Sequence, residues 1–375
     1  VADVLANNDG LIGLSAAVDT ALQVSKDRGE RVFVVGGVVR DALMGRKVGE
    51  HDLDIVVEGQ GIPFAHQLAA KLGCSVKVHD QFLTVKLIAP FGLVAGEKNV
   101  GPFLDEIDVA TSREEIYERP GALPTVRPAT IDRDLWRRDF SSNAIALTLE
   151  SYDKLLVGSV SCRDLEREAI DPCGGLSDIQ AATLRVLHPR SFVDDPTRLF
   201  RAVRYLVRLS FHFDMTTLAA FLEAVKSGAL ATLSPRRVWN EVLAAFDESA
   251  PSEVLQEYVQ RGLFSNLPII TVDNQAWLFE SFERLELLRP VLGPELFFES
   301  AKVLVIAGIL RDGREDIARA VHEGNKVLRR ASEILEAEKS PAALRTIPDV
   351  AAAYAVHCTD ELKKLLAGCL REARG

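Results

Sequence analysis

Two hydrophobic periods are interleaved in the amino-terminal part of the chain. Residues 14–26 put Leu14, Val18, Leu22 and Val24 broadly on one side, the spacing of an amphipathic helix. Arg31–Val35 (RVFVV) is a continuous apolar run, which predicts a buried strand ending at Gly36-Gly37. A short helix-like stretch follows over residues 39–44. Residues 52–57 (DLDIVV), 83–88 (LTVKLI) and 104–109 (LDEIDV) are further strand candidates, and Gly61–Leu72 has helical spacing. Residues 118–130 contain Pro120-Gly121, Pro124 and Pro128, which predicts an irregular, mobile loop.

Beyond about residue 149 the strand-like runs stop. Apolar residues then recur near the helical period over residues 195–208, 216–227, 234–246, 252–261, 275–288, 294–310, 314–339 and 350–373. No fixed repeat emerges. Strands grouped before helices predict a mixed head followed by a separate helical remainder.

Composition narrows the function. The 375 residues are 47% hydrophobic and 26% charged, which excludes general disorder and suggests two or three domains. No apolar run approaches the ~18 residues of a membrane span. The start Val1-Ala2-Asp3 has no basic, apolar leader pattern, so no signal peptide is expected. Five dispersed cysteines lack metal-ligand spacing, which argues against structural zinc and for a reducing, cytoplasmic setting. The net charge of −10 means that a polyanion must be met by a local basic face. Arg185, Arg190, Arg198, Arg201, Arg204 and Arg208 crowd into one segment that would supply it.

Four blocks carry candidate chemistry. Gly36-Gly37-Val38-Val39-Arg40-Asp41 follows a strand, where two glycines let backbone approach a phosphate and Arg40 offers a charged fork. A plain strand–helix turn has the same pattern. In Asp52-Leu53-Asp54, alternation puts both carboxylates on one face, an arrangement that a divalent cation such as Mg²⁺ relieves. An exposed acidic turn is the plainer alternative, although the preceding Gly-Gly turn makes a phosphoryl-transfer site the stronger reading. A third carboxylate is expected from Asp108. Asp105 and Glu106 are rivals, and alternation does not separate Asp108 from Glu106.

The third block, Arg137-Arg138-Asp139-Phe140-Ser141-Ser142-Asn143, suits triphosphate contacts from arginine and ribose contacts from Asp139 or Asn143. It equally suits a salt-bridged helix start. The fourth is Asp194-Asp195-Pro196-Thr197-Arg198, continuing to Arg201 and Arg204. Asp195 is placed to cap a helix with Pro196 first, and arginines at steps of three make a stripe along one side. A capped helix with a solvated basic face is the rival reading. A carboxylate accepts and a guanidinium donates, so an Asp195/Arg198 pair would accept the amino and ring-nitrogen edge of cytosine or adenine. It would refuse guanine and uracil. Arg236 and Arg237 are weaker additions to the groove, His51 is read as incidental or positioning, and Trp136, Trp239 and Trp277 are read as core.

Taken in order, these blocks resemble the class II tRNA nucleotidyltransferase/bacterial poly(A) polymerase family of polymerase β-like nucleotidyltransferases. The likeness runs over residues 31–241. It implies that Gly37 and Arg40 bind nucleotide, with Gly36 in the same turn, that Asp52 and Asp54 hold Mg²⁺, and that Arg137, Arg138 and Asp139 contact sugar and phosphate, with Asn143 read beside them from the residues. Asp195 and Arg198 would be the protein template, with Arg201 and Arg204 behind them. Residues 117–128 (YERPGALPTVRP) resemble that family's flexible loop. Ser141-Ser142 replaces the usual Thr-Ile, and Asp194 replaces the commoner Glu.

The implied fold is an α+β head (1–149) followed by an all-α neck (150–248), body and tail (249–375). The implied activity is addition of CMP and/or AMP to the tRNA 3′ end from CTP or ATP, by a monomer without membrane contact. Poly(A) polymerase is the alternative, with the acidic balance leaning away from it. An idle RNA-binding module and a small-molecule nucleotidyltransferase are the other rivals.

Overall fold

The computed structural model describes residues 8–46, 52–88, 106–264, 272–311, 318, 325–337, 344, 346–357 and 359–372. His51, Leu104 and Asp105 lie outside the described residues. The chain divides into two compact units, Val1–Ser191 with His212–Leu218, and Phe192–Phe211 with Ala219–Gly375.

The first unit begins with α1 (Asn8–Arg28), β1 (Arg31–Val35), α2 (Gly37–Leu43), β2 (Asp52–Glu58) and α3 (Gly61–Leu72). It continues with β3 (Ser75–His79), β4 (Thr84–Ile88), β5 (Glu106–Thr111), β6 (Arg113–Ile116), β7 (Thr125–Pro128), α4 (Ile131–Trp136) and β8 (Ala146–Thr148). Three short helices follow: α5 (Leu149–Leu156), α6 (Cys162–Glu168) and α7 (Gly175–Gln180). Six strands form one sheet in the order β3-β4-β5-β2-β1-β8. Only β2 and β5 run parallel; the other neighbours are antiparallel.

The two faces of this sheet are unequal. Val32 and Val34 of β1, Leu53, Ile55 and Val57 of β2, Val85 and Leu87 of β4, and Ile107 and Val109 of β5 join the large core with α1, α2, α3 and α5. The opposite face has a small core of Phe33, Val35 and Val56 with Ile131 and Leu135 of α4. Alternation therefore sends Asp54, Lys86 and Asp108 to the thinly covered face. Helices seal one side of the sheet and leave room for polar chemistry on the other.

Several details differ from the sequence reading. Leu83 adopts a left-handed φ of 52° after a short turn, so β4 starts one residue later than expected. The strands β3 and β8 were not anticipated. In the proline-rich segment, β7 pairs with β6, and Pro128 is tolerated because it sits at the terminal rung opposite Arg113. Two small strands also occur beyond residue 149, β9 (Thr183–Leu184) and its parallel partner β10 (His212–Phe213).

The second unit opens within α8 (Ser191–Asp194) and continues with α9 (Thr197–Leu209), α10 (Met215–Lys226), α11 (Pro235–Phe246) and α12 (Pro251–Gln260). It ends with α13 (Val272–Glu286), α14 (Arg289–Arg311), α15 (Asn325–Leu335), α16 (Ile347–His357) and α17 (Asp360–Glu372). Ser234 caps α11 by accepting the Arg237 amide, with Pro235 in the first turn. Gly293, at φ 74° and ψ 169°, breaks α14 before Pro294 restarts it. The expected helix over residues 350–373 is two helices, because Thr359 interrupts it and caps the second by accepting the Leu362 amide. Aromatic rings hold the interior: Phe200 meets Tyr258 edge-on at 5.1 Å, and Phe246 stacks on Phe282 at 4.9 Å. Trp239 is core as expected, whereas Trp136 is 47% exposed because its face of α4 turns to solvent.

Candidate active site

At the end of β1 the chain turns through Gly36 at φ 78°. A Cβ built there would lie 3.1 Å from Asp54 Oδ2 and 3.6 Å from Arg138 Nη1. Glycine is required twice over, by the positive φ and by this close approach. The turn thus presses backbone against one carboxylate and one guanidinium.

Strand register sets out the described acidic candidates. Asp54 on β2 is directly opposite Asp108 on β5, while Asp52 is opposite Glu106. Lys86 on β4 is opposite Asp108 from the other side. Glu106 is ion-paired with Lys86, whose ammonium also lies 3.9 Å from Asp108. A cavity of about 340 Å³ gathers Asp54, Lys86 and Asp108 with His79, Arg137 and Arg138.

The arginine block is held from behind by a residue that the sequence reading missed. Asp134 is fully buried and receives Arg137 Nη2 at 2.8 Å, Arg138 Nη2 at 3.0 Å and the Arg113 amide at 3.1 Å. Burial alone would raise its pKa, but Arg137 and Arg138 outweigh burial and hold the carboxyl below its ordinary value. Arg137 also reaches Glu115 at 3.0 Å, and Glu115 accepts the Tyr117 hydroxyl at 2.8 Å. The spacing Asp134-x-x-Arg137-Arg138 is the i,i+3 and i,i+4 pattern that would have revealed the clamp.

Arg40 is a correction to the expectation of a phosphate-facing fork. It is 1% exposed, and its guanidinium bonds Asp41 at 2.8 and 3.0 Å and Asn143 Oδ1 at 2.7 Å. A buried guanidinium is tolerable only with such partners, so the fork turns inward. Asn143 in turn donates to Asp139 at 3.1 Å, and Asp139 accepts the Phe140 amide at 2.9 Å. These four residues form one internal chain beneath the glycine turn.

In the second unit, α9 starts at Thr197, with Pro196 already in helical conformation before it. Asp195 accepts from Thr197 N at 3.2 Å, Thr197 Oγ1 at 2.7 Å and Arg237 Nη2 at 2.7 Å. All three bonds use Oδ1, which leaves Oδ2 available as an acceptor among the described residues. Arg198 is buried beside it.

The arginine stripe expected to line a positive groove turns partly inward further along α9. Arg204 is buried and bonds Glu241 at 2.6 Å and the Tyr258 hydroxyl at 3.4 Å. Burial opposes its charge, but Tyr258 and Glu241 outweigh burial and raise its pKa. Arg208 forks onto Glu248 at 2.6 and 2.7 Å. Arg201 and Arg208 lie over the Tyr205 ring at 5.6 and 5.5 Å. The i+3 spacing is real, but helix packing turns part of the stripe into internal ion pairs.

Asp54 and Asp108 supply hard oxygen donors side by side, the donor type that suits a small divalent cation. The side chain of Asp52 lies outside the described structure. Among the described residues, no cluster of three or more His, Cys, Asp or Glu side chains forms a ready metal cage. Nor is any described helix long and apolar enough to cross a membrane.

The mixed sheet thus presents in-register carboxylates beside a glycine turn and buttressed arginines. Residues 32–185 match the poly A polymerase head domain. The A-adding tRNA nucleotidyltransferase of Geobacter sulfurreducens is 40% identical over 234 residues, 62% of this chain and 23% of that protein. That of Halalkalibacterium halodurans is 36% identical over 258 residues, 65% of this chain and 54% of that protein. The match therefore spans about a quarter to a half of these relatives' length. A solved CCA-adding enzyme in its apo form has a TM-score of 0.66 at 25% identity, covering 96% of this chain and 84% of that one.

Proposed function

We propose that the protein adds CMP and/or AMP to the 3′ end of tRNA, taking CTP or ATP and releasing pyrophosphate. The observation that carries this reading is the in-register Asp54–Asp108 pair beside Gly36 and Arg138, around one cavity. The terminal 3′-hydroxyl attacks the α-phosphate in line, and the bond to pyrophosphate breaks. Asp52 and Asp54, with Asp108 alongside, are the groups that would hold Mg²⁺; when bound, it supplies positive charge at the reacting oxygens. Arg138 and Arg137, stiffened by Asp134, face the triphosphate. Arg40 and Asn143 act from beneath, bracing the turn and Asp139 for the nucleotide.

Base choice is assigned to Asp195 and Arg198. Three donors anchor Oδ1 of Asp195, so Oδ2 can receive the amino group of cytosine or adenine, and Arg198 donates to the ring nitrogen. Arg201 and Arg204 support this pair rather than touch the base, Arg204 through its buried ion pairs. The helical second unit is assigned to the RNA. We place the activity in the cytoplasm, with the chain working as a monomer.

The test offers tRNA ending at the discriminator base, at C or at CC, with each labelled nucleotide in turn. Expected is incorporation of C or A only, ceasing after a fixed few additions. A long homopolymeric A tail would replace this reading with poly(A) polymerase. Absence of any transfer to RNA would overturn it.

A further inference from the structure

We propose that Lys86 is the internal counter-ion of the acidic strand face and thereby sets how tightly that face holds a divalent cation. This rests on the nucleotidyltransferase reading above. On β2 and β5 the described carboxylates Asp54, Glu106 and Asp108 occupy neighbouring register positions. Like charges at such positions repel one another and need a cation nearby. Arg137 and Arg138 also line the cavity, but both are committed to Asp134. Lys86 enters from the third strand, bonds Glu106 and stops 3.9 Å from Asp108.

Glu106 and Lys86 therefore act as an opposed pair. The Lys86 charge weakens the attraction of Asp108 and Asp54 for a second cation. Glu106 draws the ammonium toward itself and limits that effect. Glu106 needs no contact with the cation to do so; it is a positioning residue for Lys86. None of this was legible along the chain, because Lys86 meets these carboxylates only across strand pairs.

Opposite signs make the proposal testable. Mn²⁺ binding to the full chain is followed by electron paramagnetic resonance, without nucleotide or RNA. Lys86→Met is expected to tighten binding by about three- to tenfold, as expected for removing one partly screened charge near the site. Glu106→Gln is expected to weaken it by a similar factor, because the ammonium is released to Asp108. The double variant restores the charge balance and is expected near wild type. Unchanged or weaker binding in Lys86→Met, with thermal unfolding confirming the fold, would overturn the proposal. So would Glu106→Gln that binds as wild type or more tightly. Wild-type protein whose Mn²⁺ binding is undiminished by Asp54→Ala would overturn the metal assignment itself, and this inference with it.

Discussion

Asp54 illustrates how much depends on single side chains in this molecule. It sits on a face that the large core does not need, so removing its charge is not expected to cost the fold. Asp52→Ala and Asp54→Ala are each expected to abolish nucleotide transfer while moving the melting temperature by no more than a few degrees. Parallel activity and thermal-unfolding measurements check this, and loss of the fold would contradict it. Tyr152 makes the converse case. Its hydroxyl is buried in the head with no hydrogen-bond partner among the described residues, and burial pushes its pKa up. An unpaired buried hydroxyl is destabilising, so Tyr152→Phe is expected to stabilise the head by about 1 kcal/mol, read as a rise in melting temperature.

Helices and strands carry their own consequences. The clamp at the end of α4 holds Arg137 and Arg138 through one buried carboxylate. Asp134→Asn removes that charge and leaves two guanidinium groups poorly compensated, at an expected cost of about 3–5 kcal/mol. Its pH signature has a definite sign. The folded-state carboxyl titrates below its ordinary value of about 3.9, so its stabilising contribution is complete above that pH. It is lost as the pH falls through the lower, folded-state value. Acid unfolding of the wild type and Asp134→Asn is expected to converge in that range, measured by circular dichroism.

On α9, Arg204→Met is expected to be destabilising by about 3–5 kcal/mol, because Glu241 then loses its buried cation, while Glu248 keeps Arg208. Chemical denaturation checks it. A solvated phosphate contact would instead show unchanged stability. Close packing of elements also has a glycine signature. A Cβ at Gly175, the first residue of α7, would come within 2.2 Å of the Ser141 carbonyl oxygen, which fixes how α7 approaches the turn before β8.

For the whole molecule, a net charge of −10 opposes RNA, so the tRNA binding proposed above would have to come from locally placed arginines. Affinity for tRNA is therefore expected to fall steeply with salt as condensed counterions are released. A filter-binding series across salt concentrations measures the slope, and a flat response would contradict the assignment. Specificity should separate from rate. Asp195→Ala is expected to lower CTP and ATP use and to weaken discrimination against GTP and UTP, whereas Asp54→Ala lowers all four alike. Each mismatched edge leaves buried polar groups unpaired at about 1–3 kcal/mol, enough for roughly 10²-fold selection when two are involved. Steady-state incorporation of the four nucleotides on one tRNA measures both quantities.

Alternation and helical spacing, being local, were enough to locate β1, β2, α3 and most of the later helices, and to put Asp54 on the face opposite the large core. The Gly36-Gly37 turn was legible for the same reason, since a positive φ at a strand exit calls for glycine. Pairing between distant segments decided the rest. Glu106 and Asp108 share a period and a face, and only the β2–β5 register sets Asp108 beside Asp54. Arg40 and Arg204 look like solvent cations along the chain. Burial, which depends on what packs against them, turns Arg40 onto Asp41 and Asn143, and Arg204 onto Glu241 and Tyr258. A local period tells which side of an element a residue faces; what waits on that side is a property of the folded chain.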